Sequence, residues 1–255
     1  MASDELKDDP IVEALLEIRF DTRELPEIVT GRLSDLPRWK GGSVQRLAMA
    51  DVPAVMRAAM PPPMRHAPLL EIKGVSGIGA VRIGGSGLSL HFFAPYAGWD
   101  QAVFPTIRDV IDGLFGALPA MIVTRLGLRY VNIFTTGRHH MTSVGGLALK
   151  IELAGTILKE PMNLTFAGPA PPPNAETHYV TTRVVARELL QGPVAADAAA
   201  AVDIDVYTFD GYRQSSSDAV KAWVGTAHSI EKSVFRKLIP DDLFEKLRKH
   251  SHAIH

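Results

Sequence analysis

The chain has no cysteine among its 255 residues, which excludes disulfides, thiolate nucleophiles and cysteine-ligated metal sites. An excess of charge of either sign is also missing. Its 27 lysines and arginines face 28 aspartates and glutamates, a formal net charge of -1, so no overall field draws it to nucleic acid or anionic lipid. No apolar run approaches the roughly 20 residues that a membrane-spanning helix needs. The opening "MASDELKDDP" is acidic where a secretory or mitochondrial leader is basic. These absences predict a soluble cytoplasmic protein. The apolar share of 46% suffices for a real core, in one large domain or two small ones.

A phosphate-cradling loop is missing as well. "GVSGIGAVRIGGSG" (74–87) is rich in glycine, but after Gly77 and Gly79 the third position of a dinucleotide fingerprint falls on Arg82. No helix signal follows, and no Lys-Ser or Lys-Thr completes a P-loop. The runs "LLEIKG", "IGAVRIGG" and "GLSLHFF" read instead as three short strands, with "GVSG" and "GGSG" as the turns between them. No cofactor is expected from this stretch or from any other.

What is present is strand and helix periodicity. In "IVEALLEIRF" (11–20), Val12, Ala14, Leu16, Ile18 and Phe20 share one face and Glu13, Glu17 and Arg19 the other, the pattern of a half-buried strand. A short helix is predicted near 24–35, an extended run near 44–58, a loop over 60–68 and the glycine-turned meander over 69–94. Trp99, Val103, Ile107, Val110, Ile111, Leu114 and Phe115 then recur at helical spacing. Pro105 fits the first turn of a helix starting near Phe104, or kinks a longer one. "MIVTRLGLRYVNIF" (121–134) reads as a long strand, with further strands at 147–154, 161–167, 177–188 and 201–209. A long helix is predicted over 215–239. Its stripe is Val220, Trp223, Val224, Ala227, Ile230, Val234, Phe235 and Leu238, with Ser215 and Asp218 as a capping box and Pro240 as the stop.

The fold class this predicts is α+β, in two pseudo-repeated halves of one compact unit. Residues 1–140 would hold a strand, short helix, meander, long helix and strand; residues 141–255 would hold antiparallel strands and a second long helix. Each half is expected to be an antiparallel sheet packed by one long amphipathic helix. Trp99 and Trp223 would each anchor a helix on the sheet of its own half.

Five stretches carry a resemblance: "PIVEALLEIRF", "YAGWDQAVF", "GLRYVNIF", "VDIDVY" and "AHSIEKSVFRKLIPDDL", in that order. By them the chain resembles a sporadically distributed bacterial family of proteins of about this length that carries no assigned activity. The resemblance implies an accessory gene of the kind exchanged between bacteria. It brings no catalytic residues to carry over.

Candidate functional side chains are few. Asp203 and Asp205 share one strand face and, with Asp210, have the chemistry to hold a divalent cation; a solvated face opposite Val202, Ile204 and Val206 is the plainer reading. Arg125 and Arg129 share a face of the 121–134 strand. They either pair across strands with Glu13 and Glu17 or bind an anionic ligand. Asn132 lies in register with the apolar Leu126, Leu128 and Tyr130, so it either ties down neighbouring backbone or lines a pocket. His228 sits at the edge of the last helix's stripe, where a boundary histidine is the plainer reading than a ligand. "RHH" (138–140) lacks a second ligand cluster, and the tail "RKHSHAIH" is at most a weak chelator.

With no nucleophile, metal or cofactor signature, catalysis is the less favoured class. The leading expectation is a non-enzymatic binding or regulatory accessory protein acting on a protein partner, a second copy of the chain included. The alternative is a small-ligand-binding protein with a cavity between sheet and helix, lined by Trp99, Tyr130 and Asn132. A metal-dependent hydrolase built on Asp203 and Asp205 is the third reading. A further expectation is that the first strand and the 121–134 strand share a sheet.

Overall fold

The computed structural model describes residues 6, 8–61, 64, 66–157, 162–190 and 196–248. Its backbone is a nine-stranded, wholly antiparallel sheet with helices laid against it, an α+β arrangement. The first strand, β1 (Ile11–Asp21), leads through α1 (Pro26–Ser34) to β2 (Ser43–Arg46) and α2 (Ala54–Ala58). The glycine-turned meander follows as β3 (Leu70–Lys73), β4 (Ala80–Gly84) and β5 (Gly87–Phe93), then α3 (Phe104–Ala117). The chain returns as β6 (Ile122–Thr135), the short α4 (Thr136–His139) and a small separate hairpin of β7 (Glu152–Leu153) and β8 (Thr156–Ile157). Three strands, β9 (Asn163–Pro169), β10 (Tyr179–Ala186) and β11 (Ala198–Tyr207), precede α5 (Ser217–Leu238) and α6 (Asp241–Arg248). Across the sheet the order is β2-β3-β4-β5-β1-β6-β11-β10-β9.

Two strands hold the middle of this sheet. β1 pairs with β5 on one side and β6 on the other, and β6 pairs with β11. The expected sharing of a sheet by β1 and β6 is therefore met, with Leu16 opposite Leu128 and Glu17 opposite Gly127. The expectation of a separate sheet for each half is corrected: strands of both halves form one nine-stranded sheet, because the edge of β6 left free by β1 pairs along its length with β11, Val206 opposite Leu128.

The period-two alternation sorts the faces. Ala14, Leu16, Ile18 and Phe20 of β1 are buried with Leu126 and Leu128 of β6 and Val202, Ile204 and Val206 of β11. Ile107, Val110, Ile111 and Leu114 of α3 join the same core, as do Val220, Val224 and Ala227 of α5. The two helices also pack against each other, Phe104 approaching the backbone at Gly225, where a β-carbon would lie 3.8 Å from the ring. Lys221 of α5 bridges to Asp112 of α3 at this seam. No described helix is long and apolar enough to cross a membrane.

Local chemistry explains where elements differ from expectation. α3 begins at Phe104 with proline in its first turn, and Trp99–Val103 form a single wide turn before it. The N-cap of α5 is Ser216, not Ser215: its hydroxyl accepts from the Ala219 N–H at 3.3 Å, while Gln214 Oε1 accepts from the N–H of Ser215 and Ser216. Of the extended run near 44–58 only Ser43–Arg46 is strand, since Pro53 opens α2. Of 147–154 only Glu152–Leu153 pairs, closing on β8 through Ala154 and Gly155 at φ 50° and 77°, as a two-residue hairpin turn requires.

Candidate functional site

Tyr130 and Asn132 alternate with Arg129 and Val131 along β6, so the pleat turns them toward the helices. Both are 1% exposed to solvent. Near this end of β6 the sheet is not roofed by α3, because the chain makes the 94–103 turn before that helix begins. Gly98 takes φ 84°, a left-handed conformation that favours glycine, and hands the chain to Trp99. A cleft of about 1020 Å³ remains between β6, the start of β1, this turn, α5 and α6. Ligand sites typically span about 300–1,000 Å³, so the size is that of a small-molecule pocket.

The residues lining this cleft form connected polar groups in an aromatic wall. The Tyr130 hydroxyl lies 3.2 Å from that of Tyr96 and 3.1 Å from His228 Nδ1. The Trp99 ring stacks between His228, at 3.9 Å between ring centres, and Phe104, at 5.0 Å. Trp99 thus reaches across to α5, which corrects the expectation that it anchors α3 on its own half. Asn132 does both things expected of it: its Nδ2 donates to the Val202 carbonyl at 3.2 Å, and it lines the cleft. Trp99, Tyr130 and Asn132 therefore meet at one cleft.

Burial sets the protonation of this group. It pushes both the Tyr96 and Tyr130 phenols up. His228 is held down to about 4 by burial and by the Lys232 charge, so its imidazole is neutral at neutral pH. Tyr96, Tyr130 and His228 are then a chain of neutral, exchangeable protons ending at the cleft. Two acids complete the lining. Asp9 accepts from the Ile11 N–H at 2.9 Å and has its pKa raised by burial. Glu231, 5% exposed, is raised to about 8 by burial first and by the nearby Asp9 charge second.

Arg125 and Arg129 do not reach this cleft. They lie on the other face of β6, where Arg125 Nε meets Glu17 Oε2 at 3.4 Å and stands 4.8 Å from the centre of the Tyr207 ring. Arg129 takes Asp203 rather than Glu13 or Glu17, in a two-pronged pair at 2.7 and 2.6 Å. The Glu13 carboxylate instead pairs with His91 Nδ1 at 2.6 Å. Asp203 is thus paired with an arginine instead of standing in a solvated face. Asp205 faces the notch at Gly127, where a β-carbon would lie 3.6 Å from its Oδ1, and burial raises its pKa to about 6.

Among the described residues no group of three or more His, Asp or Glu side chains is placed to hold a metal ion. Asp203→Ala is expected to cost about 1 kcal/mol in urea melts, the upper range for a half-exposed ion pair. Arg129 keeps 43% of its side-chain surface exposed and can return to water. A loss of several kcal/mol would mean the pair organises more than itself.

Of the histidines at 138–140, His139 is buried with Nδ1 accepting from the Thr135 N–H at 2.8 Å, a structural use. Residues 249–255 of the histidine tail lie outside the described residues. Sequence reasoning missed Tyr96, Asp9 and Glu231, and it took His228 for a boundary residue. The available signal for Glu231 was an acid inside the apolar stripe of α5, four residues after Ala227 and four before Phe235. Compared with protein-family models, with curated proteins and with solved structures, the chain has no match.

Proposed function

We propose that this protein binds a small molecule in the cleft between β6, α5 and the 94–103 turn. One observation carries the reading: a half-open space of about 1020 Å³ onto which Tyr130, Asn132, His228 and Glu231 converge within an aromatic lining. Buried polar groups that converge on empty space are the usual means by which a pocket orients a ligand. A thermal-shift screen of common metabolites tests it. At a concentration of about 100 Kd, a ligand adds about 2.7 kcal/mol and raises the melting temperature by several degrees. Ala97 is exposed and lines the mouth, so Ala97→Trp obstructs the cleft without touching the core. Hits that vanish in this variant support the proposal; a screen without hits, or hits indifferent to it, would overturn it.

The two-halved plan is also proposed, with a different boundary. β1, the β3–β5 meander and α3 correspond in order to β6, β9–β11 and α5, and the strand order reads outward alike from the β1–β6 pair. On this reading the halves divide between α3 and β6 rather than after residue 140, and the ligand lies against the second half, closed by a turn of the first. Action on a protein partner stays a second reading, favoured by the charged sheet face away from α3 and α5, where Phe93 is 46% exposed.

A further inference from the structure

Among the described residues six charged side chains line the cleft, and the two signs are not equally satisfied. The cations stand outward and are engaged. Arg236 donates to the Ile239 carbonyl at 2.9 Å, pairs with Asp241 and lies 4.3 Å from the centre of the Phe244 ring. Arg248 meets Glu245 at 3.0 Å, and Lys232 is exposed at the rim. The acids are the reverse. Among the described residues neither Asp9, Asp100 nor Glu231 has an ion-pair partner, and no hydrogen bond reaches the Glu231 carboxyl. Glu231 lines the space while 95% removed from solvent, at 5% exposure.

A carboxyl group held away from water without a partner is costly, and the cost is relieved when a cation arrives. Resting on the ligand-binding reading above, we propose that the ligand is an organic cation, an amine whose ammonium group is held by Glu231 with Asp9 beside it. An ammonium offers up to three N–H donors, enough to meet Glu231 and the free oxygen of Asp9 together. The Tyr96, Trp99 and Phe235 side chains supply apolar wall for the carbon frame of such a molecule. An anion could not draw the proton off Glu231 and would bring negative charge beside Asp9.

The test uses three probes on one frame, differing only in the terminal group: tyramine, the alcohol 2-(4-hydroxyphenyl)ethanol, and 4-hydroxyphenylacetate. Binding is followed through the indole N–H signal of Trp99 by NMR, in the full chain and in Glu231→Gln. Tyramine is expected to bind at least about tenfold tighter than the alcohol, and the glutamine variant to bring that ratio near one. A second measurement does not depend on the variant folding. Tyramine binding by the parent protein near pH 7 should release protons, read as a heat that changes with the buffer's ionisation enthalpy, because the ammonium ionises Glu231. Glu231 faces Asp9 from before β1, Tyr96 from the turn, Tyr130 from β6 and Lys232 on its own helix. Equal binding of all three probes, or tightest binding of 4-hydroxyphenylacetate, overturns the cation while leaving the cleft a ligand site. No perturbation of Trp99 by any probe overturns both.

Discussion

Glu231→Gln is expected to stabilise the protein by about 3 kcal/mol at pH 7 and by almost nothing at pH 4. The folded protein raises this carboxyl from 4.5 to about 8, so it retains a proton that the unfolded chain gives up. Stability from this group is fully present below 4.5. It falls as pH rises toward 8 and levels off beyond, at about 1.4 kcal/mol for each pH unit crossed. Glutamine has the shape of the protonated acid but cannot ionise, so the variant lacks this slope. The Asp9 carboxyl, raised by its own burial, and the neutral Tyr96 and Tyr130 remain in both proteins and largely cancel in the difference. Urea melts of parent and variant at pH 4, 7 and 9 read the effect. Parallel curves across that range would show that Glu231 is ionised and solvated in the folded protein, and the cation proposal would lose its basis.

Trp223→Ala is expected to cost roughly 3–5 kcal/mol, a large part of the stability of a typical domain. Trp223 is 6% exposed, its ring stacks on His178 at 4.8 Å between centres, and its Nε1 donates to the Thr177 carbonyl at 3.3 Å. Truncation removes an aromatic side chain from the junction of α5 with the loop before β10. It also uncovers His178, whose pKa is lowered by burial. The phenylalanine variant keeps the stacking and loses the N–H bond, so its cost should be about 1 kcal/mol. A loss below 1 kcal/mol for the alanine variant would mean that α5 is fixed by its other contacts and that Trp223 is not its anchor.

Strands, turns and the long helices were readable because a period of two or of 3.6 is written in local sequence. β1, the meander, β6 and α5 follow directly from such patterns. The partner of each strand is not local. That Arg129 faces Asp203 rather than Glu13 depends on β11 pairing with β6, and alternation is silent on which strands adjoin. Ser216 rather than Ser215 caps α5 because Gln214 serves the two N–H groups before it, a detail one residue finer than a capping pattern reads. In the cleft, Tyr130 and Asn132 stood out as polar atoms in an apolar register, and Trp99 as a large ring beside a turn. Asp9 and Tyr96 carried no such mark. They belong to segments before and between regular elements, and only the folded chain brings them to α5.

The central position of β1 has a consequence for how the molecule is made. Of the nine strands in the sheet, the one synthesised before the others is the one whose two neighbours come later: Leu16 waits for Leu90 and then for Leu128 before both its edges are satisfied. During synthesis β1 is therefore a hydrophobic strand without neighbours for much of the chain's emergence, the state most exposed to wrong pairing. Pairings this far apart in sequence also slow folding, since the chain must close long loops before the contacts repay them. Glu13, Glu17 and Arg19, alternating along its polar face, give the waiting strand the charge that resists association with another copy.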